Sequence, residues 1–288
     1  MKRIVRSLIP GRARYFLWQN TAKLYYRTLD LMDSARGRTD PSMPSRSQAF
    51  IYGFAGHDLR NHFDIAGQTF AAYFKELGHL QPNHAVLEIG SGIGRMALAL
   101  THNLETEGRY VGMDIVPDGI AWCQQHISTE HPNFQFQLID IYNKMYNPKG
   151  HGKAADYRFP FEPETFDLVF LVSVFTHMLP AELENYLAEI ARMLKKGGRC
   201  LITYFLLNDE SRQLIETGKN PIPMEYRTAE FWARNRHVPE EAIAFDEAYI
   251  RGLYAKYGLR IEEPIRYGIW SGREGVVDWQ DIVVAVKD

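Results

Sequence analysis

Val86-Leu87-Glu88-Ile89-Gly90-Ser91-Gly92-Ile93-Gly94-Arg95 decides how the chain is read. A short apolar run ends in three glycines at alternate positions, and a helical pattern opens directly after them. Glycine reaches the positive φ angles of a tight turn and, lacking a Cβ, lets a ligand approach the backbone. The following helix presents unpaired N–H groups and positive partial charge to an anionic ligand group. A bare Gly-x-Gly can equally be a tight strand-to-helix connection, so the neighbours carry the weight. The nearest alternative is the dinucleotide fingerprint Gly-x-Gly-x-x-Gly. Counted from Gly90 it needs glycine where Arg95 stands, and counted from Gly92 it meets Ala97, a tolerated replacement. Glu88 is an acid two residues ahead of Gly90 that this fingerprint does not ask for, and it weighs against the dinucleotide reading.

Outward from this stretch, short apolar runs alternate with amphipathic ones. Strands are expected at Ala85–Ile89, Tyr110–Ile115, Phe134–Ile139, Phe166–Val172 and Arg199–Tyr204. Helices are expected at Gly94–Glu105, Asp118–Glu130 and Pro180–Lys195, the last closed by Gly197-Gly198. Short strands alternating with helices, Phe166–Val172 near-continuously apolar and Phe134–Ile139 alternating, predict an α/β fold, a doubly wound parallel sheet covered on both faces. Towards the C-terminus, residues 207–246 read as a helical or irregular insertion and Glu247–Tyr257 as a helix. The runs Leu259–Tyr267 and Gln280–Lys287 read as a long-looped antiparallel hairpin that finishes the sheet. Before the glycine loop, Tyr15–Met32 has a helical apolar stripe, residues 34–48 read as a linker, and a helix is expected from an N-cap at Asp58 to Gly78.

These residues resemble the class I S-adenosylmethionine-dependent methyltransferases across roughly residues 78–206. Glu88, Gly90, Gly92 and Gly94 match the family's first motif, an acid followed by x-Gly-x-Gly-x-Gly. Asp114 stands where the second strand's acid binds the ribose hydroxyls, and Asp140 where a third acid lies near the adenine amino group. Phe166-Asp167-Leu168-Val169 and Leu194-Lys195-Lys196-Gly197-Gly198-Arg199 follow in family order. The resemblance implies a mostly parallel, seven-stranded Rossmann-like sheet and S-adenosylmethionine as cofactor. It implies a cofactor crevice made by Glu88, Gly90, Ser91, Gly92, Gly94, Arg95, Asp114, Ile115, Asp140, Ile141 and Ser173.

The cofactor's sulfonium makes its methyl electrophilic, so such an enzyme mainly has to align a nucleophile with it. A hydroxyl nucleophile also needs a proton acceptor. His177, in the loop after the fourth strand, is the candidate, with a structural role near the helix beginning at Pro180 as the alternative reading. The expected function is methyl transfer to a small-molecule acceptor, on oxygen. Two alternatives stay open, a catalytically silent cofactor-binding or scaffold protein on the same fold, and a nicotinamide-dependent oxidoreductase.

Composition limits the rest. The 288 residues, 45% hydrophobic and 24% charged, suit a globular protein with a substantial core. Cys123 and Cys200 are the only cysteines, with no Cys-x-x-Cys, so a disulfide framework is excluded and a reducing cytoplasm is expected. No HxH or HExxH spacing occurs among the histidines, and no metal is expected. Residues 1–38 hold nine basic and two acidic residues, a net of +7, which leaves −9 on the rest of the chain. That acidic body argues against a nucleic-acid partner. The division expected is a basic amphipathic arm and linker at 1–48 and a methyltransferase domain at 49–288, with substrate-side insertions at 141–165 and 207–246. The arm is read as a candidate weak contact with an anionic membrane or as a helix docked on the protein itself. The aromatics Tyr52, Phe54, Tyr142, Tyr146, Tyr157, Phe159, Tyr226, Phe231 and Trp232 are candidates for a substrate wall or for ordinary packing.

Overall fold

The computed structural model describes residues 11–40, 42–52, 59–276 and 278–288, with the backbone alone for 11–20 and 59–62. Four parallel strands, β1 (Ala85–Ile89), β2 (Arg109–Asp114), β3 (Phe134–Leu138) and β4 (Phe166–Leu171), start within a residue of the expected positions. Alternate side chains on each strand enter opposite cores. From β1, Leu87 and Ile89 join one cluster and Val86 the other; from β4, Val169 and Leu171 part in the same way from Leu168 and Phe170. Both faces of β1 and β4 are therefore buried, which is why these two strands read as unbroken apolar runs, whereas the edge strand β3 alternates.

The strand β5 (Leu194–Tyr204) begins earlier than expected, because Gly197-Gly198 lies inside it rather than behind the preceding helix. The β4–β5 register slips between Phe166 and Leu168, and the glycine pair sits in that irregularity. Two C-terminal strands complete the sheet, β10 (Leu259–Ile261) and β11 (Asp281–Lys287), both in antiparallel pairings. The order is β10-β11-β5-β4-β1-β2-β3. Chain direction reverses its spread across the sheet between β1 and β4, so a crevice opens beyond their carboxyl ends.

Helices α1 (Gly11–Ala35), α2 (Arg46–Ala49) and α3 (Leu59–Glu76) precede the sheet, and α4 (Arg95–Leu100), α5 (Pro117–Cys123), α6 (Pro180–Met193), α7 (Asp209–Glu216) and α8 (Glu247–Lys256) follow in order. The expected linker is shorter than residues 34–48. Helix α1 continues to Ala35, and Ser45 caps α2 in a capping box with Gln48. Asp58, expected as the cap of α3, lies outside the described residues. Residues 206–246 hold α7 and a second sheet of four short strands, β6 (Leu206–Leu207), β7 (Tyr226–Arg227), β8 (Phe231–Ala233) and β9 (Ile243–Asp246), ordered β6-β9-β8-β7. Strands of two to four residues are too short for alternation to show in sequence. They are held by a third core of Phe205, Leu207, Trp232, Ala244 and Trp270.

Candidate functional site

A crevice at the carboxyl ends of β1, β2 and β4 is lined by Glu88, Gly90, Ser91, Gly92, Arg95, Asp114, Ile115, Ile141, Ser173 and His177 among the expected residues. The loop after β1 has the required left-handed conformations, φ +84° at Gly90 and +55° at Gly92. Both positions are crowded as well. A Cβ on Gly90 would stand 2.3 Å from Val174 Cγ2, and one on Gly92 would meet the Tyr52 ring at 3.1 Å. Gly90 and Ser91 donate their N–H groups to Met113 O at 2.7 and 3.0 Å, and Gly92 N–H donates to Asp114 Oδ2 at 2.7 Å. The glycine loop is thus bolted to the end of the neighbouring strand.

Asp114 is buried, and its Oδ1 accepts from Val116 N–H at 2.8 Å. Burial raises its pKa to about 6 against the pull of those backbone donors. Ile115 N–H is a third backbone donor to it, and with about four acceptor positions the carboxylate keeps capacity for a ligand hydroxyl. Glu88 points to the other side. It alternates with Leu87 and Ile89, and it accepts a hydrogen bond from the Tyr110 hydroxyl within the core face that holds Val86. Desolvation pushes its pKa to about 8, countered in part by the Tyr110 bond and the Arg95 charge.

Ser173 starts the loop after β4 with φ +61°, a conformation that costs a non-glycine residue about 1 kcal/mol. Thr203 and Gln280 hold it there. Thr203 Oγ1 accepts from Ser173 N–H at 2.8 Å, and Ser173 Oγ donates to Gln280 Oε1 at 3.2 Å. Four residues on, His177 faces the crevice. Its Nδ1–H donates to the Glu240 carbonyl at 2.8 Å, since a carbonyl only accepts, and a neutral ring then keeps its lone pair on Nε2. The Tyr146 hydroxyl lies 3.4 Å from that nitrogen. Burial lowers the His177 pKa, partly offset by the Glu240 contact.

Two expected cofactor residues stand outside the crevice wall. Gly94 caps α4 beside Cys123 and Ile127. Asp140 is exposed and turned to His151, whose Nδ1 lies 2.8 Å from Asp140 Oδ2. Of the candidate aromatics, Tyr52, Tyr142 and Tyr146 line the crevice. Tyr157, Phe159, Tyr226 and Phe231 pack into the main core, and Trp232 into the small one; Phe54 lies outside the described residues. Sequence reading missed Glu182 and Tyr186, which line the crevice from α6. Their i, i+4 spacing was the available signal, because it puts both on one helix face.

Fold and crevice together are those of a Rossmann-like domain. Residues 87–202 match a family model described as a methyltransferase domain. The phthiotriol/phenolphthiotriol dimycocerosates methyltransferase 1 of Mycobacterium ulcerans is 28% identical over 160 residues, 56% of this chain and 44% of that one. Demethylmenaquinone methyltransferase of Lactiplantibacillus plantarum is 31% identical over 127 residues, 43% of this chain and 47% of that one. The chain spans less than half the length of these two relatives. In fold it is similar to the PH0226 protein from Pyrococcus horikoshii OT3, with a TM-score of 0.51 at 17% identity, covering 82% of this chain and 94% of that one. Residues 87–202 therefore match a methyltransferase domain, consistent with the class I S-adenosylmethionine-dependent methyltransferases.

The residues present fit S-adenosylmethionine. Ser91 Oγ is buried in the crevice wall without a hydrogen-bond partner among the described residues, and Asp114 has acceptor capacity left beside it. A ligand hydroxyl or amine would satisfy both, and an orphaned buried hydroxyl is otherwise costly by about 1–3 kcal/mol.

Proposed function

We propose that the protein transfers the methyl group of S-adenosylmethionine to a hydroxyl oxygen of a small-molecule acceptor. The observation that carries this reading is the His177 ring, anchored through Nδ1 to the Glu240 carbonyl and presenting Nε2 to the crevice beside Tyr146. In the proposed arrangement Asp114 holds the ribose hydroxyls, and Gly90, Ser91 and Gly92 give the cofactor close approach to the backbone. Ile115 and Ile141 flank the base, and Ser173 marks the boundary with the acceptor. Asp140 takes no part, because its carboxylate is turned to His151 at the surface.

Bound S-adenosylmethionine supplies a methyl group made electrophilic by the sulfonium. The chain's own residues then orient and deprotonate the acceptor. His177 Nε2 takes the hydroxyl proton as the new carbon–oxygen bond forms, and Tyr146 keeps the ring aligned by edge contact, with ring centres 5.3 Å apart. Burial supports this role, because a lowered pKa leaves the imidazole neutral at physiological pH. Tyr142, Tyr186 and Met178 wall the acceptor side, and Glu182 gives it one carboxylate to pair with a donor group. Two of the relatives are named for a dimycocerosate and a demethylmenaquinone, in keeping with a small-molecule acceptor, and a third for protein lysine. Two buried free thiols, Cys123 and Cys200, support a cytoplasmic setting.

Incubating the protein with methyl-¹³C S-adenosylmethionine and a metabolite extract tests the reading. The expected product gains one labelled methyl whose carbon shift is that of an ether or ester. A label on nitrogen or carbon overturns the oxygen assignment. No labelled product, with cofactor binding intact, makes the protein a silent cofactor-binding scaffold.

A further inference from the structure

Helix α1 meets the rest of the protein with a mixed side on which Ala22, Tyr26, Leu29, Asp30 and Asp33 are half-buried. Asp30 accepts from the backbone N–H groups of Arg46 and Ser47 at 2.8 and 3.1 Å, and Asp33 accepts from Arg46 Nε at 3.0 Å. Tyr26 adds one ring contact on Phe50. A second set of apolar residues is turned outward. Leu24, Tyr25, Leu31 and Met32 are 66, 57, 72 and 41% exposed. They form two pairs seven residues apart, and Leu17-Trp18 continues the same spacing in the sequence. Seven residues is close to two helical turns, so the pairs share one stripe along the helix. An amphipathic helix normally buries that stripe.

Among the described residues no helix is long and apolar enough to cross a membrane, so the stripe calls for a surface rather than a span. Charge selects which surface. The first 38 residues carry +7 while the rest of the chain carries −9. A second copy pairing along this stripe would bring two +7 arms together, whereas an anionic surface attracts the arm and repels the acidic body. A basic helix with Leu, Met and Tyr on its free face has the composition of one that lies in a lipid headgroup layer. We propose that α1 docks this protein on an anionic lipid membrane, with Leu24, Leu31 and Met32 entering the headgroup boundary. The arm is tied to the crevice side of the fold. Lys23 pairs with Asp118 at 3.6 Å, and α2 leads directly to Tyr52 at the glycine loop.

The test is sedimentation of the full-length protein with vesicles of phosphatidylcholine alone and of phosphatidylcholine mixed with phosphatidylglycerol. The protein should pellet with the mixed vesicles, less so as salt is raised, and stay in solution with the neutral ones. The triple variant Leu24→Ser/Leu31→Ser/Met32→Ser should bind at least about tenfold more weakly, since it removes three apolar side chains from the contact. Its melting temperature should match wild type, because these side chains are exposed. Equal pelleting of the two proteins, or none with anionic vesicles, overturns the proposal. So does a dimer in sedimentation velocity without lipid that the triple variant dissociates, which assigns the stripe to a second copy. Vesicle binding is read without methyl transfer, so failure here leaves the enzymatic reading standing.

Discussion

The Gly92 N–H donates to Asp114 Oδ2 at 2.7 Å, which makes the acid at the end of the second strand a structural partner of the glycine loop after the first. One carboxylate therefore fixes the loop and, in the proposed arrangement, receives the ribose. Shape and affinity of the crevice depend on the same side chain.

Asp114→Ala should weaken S-adenosylmethionine binding by about tenfold or more, the worth of one or two charged hydrogen bonds. It should also lower stability by about 1–3 kcal/mol, since the Gly92 and Val116 N–H groups lose their acceptor. Burial raises the Asp114 pKa to about 6, and the ionised form is the one that accepts ligand hydroxyls. Wild-type affinity should therefore fall about tenfold between pH 7 and pH 5 by calorimetry. Unchanged affinity in a folded Asp114→Ala protein would place the ribose elsewhere.

Glu88 has the opposite consequence for stability. Its pKa in the folded protein is pushed up to about 8, chiefly by burial. The neutral acid's contribution is complete below the ordinary glutamate value and is lost as pH rises through about 8. Thermal melts should show wild type losing on the order of 1–3 kcal/mol from pH 5 to pH 8.5, and Glu88→Gln losing much less. Parallel curves for the two proteins would show that Glu88 does not carry the titration.

His177→Asn separates a base from a structural histidine. Asparagine's amide reaches the position of Nδ1, so the contact with the Glu240 carbonyl survives while Nε2, the nitrogen beside the Tyr146 hydroxyl, is lost. Turnover should drop roughly 10²–10⁴-fold with cofactor affinity and melting temperature kept. Because burial lowers the His177 pKa, the wild-type acidic limb should lie below the ordinary histidine range, and the variant should lose it. An early-melting variant with proportionate activity loss would make His177 structural.

Gly90→Ala should destabilise by about 1–3 kcal/mol, because φ is +84° and the new methyl would sit 2.3 Å from Val174 Cγ2. Adding Val174→Ala removes the clashing methyl. The double variant should recover the steric part and keep about 1 kcal/mol of backbone cost. Denaturant midpoints check both, and a neutral single variant would contradict the crowding.

The central strands, the glycine loop and Asp114 were legible in the sequence because each rests on a local rule. Buried strands need continuous apolar residues, left-handed turns need glycine, and a strand end facing a crevice has few reasons to hold an acid. Asp140 obeyed the same rule in sequence and still turned to His151, because a side chain at a strand end chooses between crevice and solvent by which neighbour it meets. Glu182 and Tyr186 stayed hidden because α6 faces the crevice by its packing on the sheet, and its own pattern only reports an amphipathic helix. The β7–β8–β9 ladder was invisible for want of length.

Sequence by itself determined the α/β sheet, the cofactor loop and the charge division between arm and body, since backbone sterics, hydrophobic periodicity and charge are properties of neighbouring residues. Tertiary structure alone decided which way each face and carboxylate turns. Leu24 and Leu31 are as apolar as any core leucine, yet they face solvent because Asp30 and Asp33 hold the opposite side of their helix to Arg46. Those partners are 13 to 16 residues apart, and no local pattern ranks such a contact against burial of the stripe.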